Sequence, residues 1–151
     1  MTDQPQLELE FALVAGPDGH DLPDEAGLRD LALAVLRAEA AQGDWDITVA
    51  LVSDAELQSL HARFMNIDEP TDIMTFSFDD GLPGGELAIS VDHARNRAGE
   101  WGNSPAQEIE FLVAHGILHL LGWRDESEEQ RAAMLSRQAV LVERWREGSS
   151  R

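Results

Sequence analysis

Residues 104–125 read SPAQEIEFLVAHGILHLLGWRD, a stretch that carries a well-signalled helix and a cluster of metal-ligating residue types. Ser104 is a capping residue, Pro105 suits the first helical position and Gln107 stands at the third, so a helix starts here. Gly122 supplies a stop, which predicts a helix reaching Leu121. His115 and His119 are four apart and share one face of that helix, about one turn from each other. Two imidazoles so placed can hold one divalent ion at about 2.0–2.1 Å each. Gly122 then lets the backbone turn back, and Asp125 is the candidate third ligand, with a fourth position left for water.

Each of these residues has a plainer alternative. A His pair at this spacing also occurs as ordinary helix decoration. Here, however, it sits among Phe111, Leu112, Val113, Ile117, Leu118, Leu120 and Leu121, where two buried imidazoles would each need a polar partner. Asp125 could cap the next helix, but Ser127, three before Gln130, fills that role better. Glu108 lies seven before His115 on the same face. It reads equally as an acceptor for an imidazole N–H or as a solvated glutamate favoured by the helix dipole. Metalloprotease helices carry Glu directly after the first His as general base, and here that position is Gly116.

Outward from this helix, Leu7, Leu9, Phe11 and Leu13 alternate with strand period, as do Ile47, Val49 and Leu51. Between them a helix is predicted over Asp24 to Gln42, ended by Gly43. Ser53 with Glu56 opens another helix, to about Phe64. Met74, Phe76 and Phe78 suggest a third strand, and Leu87, Ile89 and Val91 a fourth. The segment Phe78-Asp79-Asp80-Gly81-Leu82-Pro83-Gly84-Gly85 reads as loop. A short helix is expected over Asp92 to Glu100, a last one from Ser127 to about Glu147, and a frayed tail from Gly148. The sum is one small α+β domain over 1–151, with a four-stranded mostly mixed sheet and about five helices. The long helix after the first strand implies some parallel pairing.

The 151 residues are 43% hydrophobic, enough for a real core. No apolar run approaches the length that spans a bilayer, and residues 1–10 carry no apolar leader, so a soluble, cytoplasmic protein without a membrane partner is expected. Cysteine is absent, which confines metal binding to His and carboxylates. The formal charge is −18; lysine is absent and all 11 positive residues are Arg. Such a charge repels nucleic acid at long range and attracts basic protein surfaces.

The His115-Gly116-x-Leu118-His119-Leu120-x-Gly122-Trp123 run resembles the signature of the YbeY family of bacterial endoribonucleases and ribosomal RNA maturation factors. Thr71-Asp72-Ile73-Met74-Thr75-Phe76 and Gly85-Glu86-Leu87-Ala88-Ile89-Ser90 resemble two further family segments. The likeness spans roughly Leu57 to Trp145. It implies a zincin-like metal-hydrolase fold and a single-strand-directed, metal-dependent endoribonuclease. The implied role is 3′-end maturation of small-subunit ribosomal RNA and ribosome quality control. The implied ligands are His115, His119 and Asp125, holding one zinc ion per chain, with manganese or another divalent metal as a competitor. The implied partners are ribosomal RNA precursor and small-subunit proteins or assembly factors. Gly84 and Gly85 are expected to let a strand edge approach substrate.

Two departures stand out. The family's third His falls on Asp125, and its preceding Asp on Arg124. An Arg usual in the family falls on Met65, for which Arg63 or Arg124 could substitute; Arg95 and Arg97 are the other positive residues near the site segments. No general base and no catalytic arginine is assigned. Two rival readings are a metal-dependent peptidase and a ribosome-assembly factor whose metal is not catalytic.

Overall fold

The computed structural model describes residues 6–15, 21–65, 72–78 and 81–149. Thr71, Asp79, Asp80 and Ser150-Arg151 lie outside them. The order is β1 (Leu7–Ala15), α1 (Glu25–Ala38), β2 (Gly43–Val52), α2 (Asp54–Met65), β3 (Ile73–Ser77), β4 (Gly84–Ser90), α3 (Val91–Trp101), α4 (Pro105–Leu120) and α5 (Glu128–Ser149). The four strands form one sheet in the order β1-β2-β4-β3. β1 and β2 run parallel, as do β2 and β4, while β3 is antiparallel to β4. The sheet is thus mixed and the fold α+β, as the sequence pattern predicts.

Alternation along β4 separates the two faces. Leu87 and Ile89 join the main core with α1, α4 and α5, whereas Ala88 joins a smaller cluster with Met74 and with Leu57 of α2. α1 buries Leu28, Leu31, Ala32, Val35 and Leu36, a stripe at helical spacing. α4 is the central helix and buries Ile109, Leu112, Val113, Ala114, Gly116, Ile117 and Leu118. Each fully buried aliphatic side chain of this kind contributes roughly 1.5–3 kcal/mol of transfer free energy. β3 is an edge strand, and α4 and α2 pack on opposite faces beside it.

Several boundaries differ from the sequence reading. β3 stops at Ser77, short of Phe78, and Val91 opens α3 rather than ending β4, because Ser90 caps that helix by accepting from His93 N–H. α1 stops at Ala38 rather than near Gln42, because Ala40 takes a left-handed φ of 59° and lets Ala41 N–H reach Leu36 O at 2.9 Å. Gly43, expected to end that helix, is instead the first residue of β2, paired with Leu7. Gly84 and Gly85 are strand, not loop, and lie between β2 and β3 rather than at an edge offered to substrate. A Cβ at Gly84 would sit 2.0 Å from Asp46 O, and one at Gly85 would sit 2.1 Å from Phe76 O. These glycines serve close approach of neighbouring backbone. At the other end of the chain, α5 carries Gly148 within the helix.

Candidate metal centre

α4 opens as its sequence dictates: Ser104 Oγ accepts from Gln107 N–H and Gln107 Oε1 accepts from Ser104 N–H. It closes at Gly122, whose φ of 104° suits glycine, with Trp123 N–H donating to Leu118 O at 3.0 Å. The chain then doubles back over the last turn of the helix and delivers Asp125. His115 Nε2 and His119 Nε2 lie 3.2 Å apart, and Asp125 Oδ2 lies 3.6 Å and 3.3 Å from them. The rings are nearly perpendicular, at 83°. Among the described residues these three form the one cluster able to hold a metal ion.

The far side of each ring fixes its tautomer. His119 donates through Nδ1 to the Trp123 carbonyl at 3.1 Å, and a carbonyl can only accept. His115 donates through Nδ1 to Gln138 Oε1 of α5 at 3.0 Å. In the neutral rings both Nε2 atoms then carry lone pairs, which face each other and a carboxylate oxygen. Three lone pairs at such distances repel unless something electron-poor lies between them. Ligand atoms around a tetrahedral ion with bonds of about 2.0–2.1 Å are separated by about 3.3–3.4 Å, so these residues fit a zinc-sized cation. Burial, the largest influence on His115, favours its neutral, ligating form; the neighbouring His119 charge acts the same way, while Gln138, Asp125 and Asp72 oppose.

The triad forms one wall of a cleft of about 490 Å³. β3, from Ile73 to Ser77, runs along it, and Asp72 and His61 of α2 also line it. The family described as Endoribonuclease YbeY matches residues 21–146. The chain belongs to the YbeY family. A YbeY relative from Pelotomaculum thermopropionicum, named Endoribonuclease YbeY, is 33% identical over 87% of this chain and 95% of its own. One from Picosynechococcus with the same name is 34% identical over 92% and 95%. The solution structure of TM1509 from Thermotoga maritima overlays with a TM-score of 0.59 at 26% identity, covering 95% of this chain and 93% of that one.

Within this YbeY frame, several sequence-based placements change. Glu108 does not orient an imidazole: Gln138 and the Trp123 carbonyl take that role. Glu108 lies near Arg97, His93 and Asp72, and burial raises its pKa, with Asp72 adding to the rise while Arg97 and His93 oppose. Arg124 is exposed and pairs with Glu126 at 3.7 Å; Arg95 pairs with Asp21 at 2.8 Å. Arg63 lines a separate depression with Glu56 and Ser59. None of these arginines is among the described residues lining the cleft. Asp72, by contrast, does line it. Gln138 and His61 carry no functional signal in the sequence. Gln138 lies 23 residues beyond His115 on an exposed-looking helix, and His61 carries no motif of its own.

Proposed function

We propose that this protein is a metal-dependent endoribonuclease cutting single-stranded ribosomal RNA precursor, in small-subunit 3′-end maturation and ribosome quality control. The observation that carries the proposal is the convergence of three lone pairs on one point beside an open cleft, in a chain whose relatives are named endoribonucleases. His115, His119 and Asp125 hold one zinc ion, and the carboxylate makes manganese a competitor. When bound, the ion supplies Lewis acidity toward a phosphodiester and toward water. Gln138 and the Trp123 carbonyl keep both imidazoles in the ligating tautomer. Ile73, Met74 and Phe76 give the cleft an apolar wall against which a base or ribose can lie.

The peptidase alternative loses support at position 116. A Cβ there would lie 2.6 Å from Leu87 Cδ2, so Gly116 faces the sheet and a glutamate base has no room. Among the described residues no helix is long and apolar enough to cross a membrane. We place the protein in the cytoplasm, where its charge of −18 favours contact with basic small-subunit proteins or assembly factors. Metal analysis of protein purified without chelator, paired with cleavage assays on precursor ribosomal RNA and on casein, tests the proposal. Near-equimolar zinc with RNA cleavage alone is the expected result. Protein that takes up no metal when zinc is offered would refute it.

A further inference from the structure

We propose that His61 is a substrate-binding residue, donating a hydrogen bond to an RNA phosphate from the wall of the cleft opposite the metal triad. This rests on the nuclease reading above and adds a residue to it. Among the described residues lining the cleft, His61, Asp72, Asp125, His115 and His119 are the ionisable ones. Two of these are carboxylates, so an incoming phosphodiester meets negative charge. Outside the triad, His61 is the one basic side chain there.

Its position follows from the fold. α2 is anchored by Leu57, which is fully buried, and Leu60, both packed on the face of β3 and β4 away from α4. His61 stands four residues after Leu57, on the same stripe of the helix. The N-terminus of α2 is fixed by the Ser53–Glu56 capping box and by Asp92, which accepts from Asp54 N–H at 2.9 Å. The imidazole thus arrives from one side of the sheet and the triad from the other, with the edge strand β3 between them. A phosphodiester lying over β3 is held from both sides. Arg63, two residues on, points to a different depression and cannot do this work.

The test measures binding of a short single-stranded RNA to metal-free protein, which removes cleavage from the readout. His61→Ala should bind about ten-fold more weakly, the loss of one hydrogen bond to a charged group. His61→Gln, which keeps an N–H donor, should recover most of the affinity, and Arg63→Ala should match the parent. Zinc uptake should be equal in all four. His61→Leu replaces His61→Ala if the latter does not fold. Equal RNA affinity for the parent and for a folded His61→Ala or His61→Leu variant overturns the proposal, and the nuclease reading survives if the zinc-loaded parent still cuts RNA. A parent that neither binds nor cuts RNA overturns both.

Discussion

The two ends of the sheet both gather ionisable side chains and do different things with them. At the β1–β2 end, Glu8 lies opposite Asp44 and Glu10 opposite Asp46 in the parallel register. These four carboxylates rim a depression of about 600 Å³ shared with Trp45, Phe78, Leu82 and Pro83. At the β3 end a single carboxylate, Asp125, meets two imidazoles. The first end is richer in negative charge, yet among the described residues it is the second that gathers three potential ligand atoms within reach of one ion. Neighbouring strands hold their side chains about 4.8 Å apart and let each carboxylate face water. The triad instead has its ring nitrogens aimed by acceptors behind them. Orientation of lone pairs, rather than acidity, separates a chelating site from a solvated surface.

The sharpest way to break this contrast is to remove ligands at each end in turn. His119→Ala should drop zinc from near one per chain to near none and abolish RNA cleavage, while circular dichroism still reports a folded protein. The joint change Glu10→Ala and Asp46→Ala should leave zinc content untouched. Loss of metal in the second variant, with retention in the first, would move the ion to the wrong end. Next in size comes Asp125→Ala, expected to weaken zinc binding far more than Glu126→Ala one residue on. Asp125→His supplies another imidazole and should bind zinc at least as well as the parent. Equal zinc affinity for the two alanine variants would show that Asp125 is not a ligand.

The orienting contacts make a subtler claim. Gln138→Leu should lower metal affinity by about 10–100-fold without removing any ligand atom. An unchanged affinity would show that the His115 ring needs no support from α5. Smaller still is the relief of like charges at the acidic end. Asp46→Asn should raise stability by about 0.2–1 kcal/mol at low salt, with the gain shrinking as salt is added, read by chemical denaturation.

Glu108 adds a pH signature. Its folded-state pKa is raised, chiefly by burial, so the stability it contributes is present at acid pH and lost as pH rises through the folded value. Glu108→Gln should therefore raise the melting temperature at neutral pH, and the gain should fade below the ordinary glutamate range. A gain that does not change with pH would contradict the burial argument.

Most of the fold could be read from periodicity and caps, because strands and helices here obey local rules. Ser104-Pro105 with Gln107, and Gly122, bound α4 as read. The failures share one cause, which is information held by backbone rather than side chains. Ala40 adopts a left-handed φ that alanine does not advertise, and the end of α1 moved accordingly. Gly84 and Gly85 look like a loop until the carbonyls of Asp46 and Phe76 are seen pressing on them. At the site, the grouping of His115, His119 and Asp125 was legible because all three lie within 11 residues of chain. The groups behind the rings were not. One is the main-chain carbonyl of Trp123, which any residue could supply, and the other comes from a helix that only tertiary packing brings near.

The short turn from Gly122 to Ser127 performs two tasks within six residues. It presents the Trp123 carbonyl to one imidazole and the Asp125 carboxylate to the space between both, and the Trp123 indole is itself tied to Glu39 at 2.8 Å. Changing a letter in this turn alters one contact. Adding or deleting a residue shifts the carbonyl and the carboxylate together and drags the indole off its anchor. The segment is therefore tolerant of substitution at Arg124 and Glu126, which face solvent, but intolerant of any change in length. A library of single-residue insertions scanned along the chain should find one of its least permissive surface positions here.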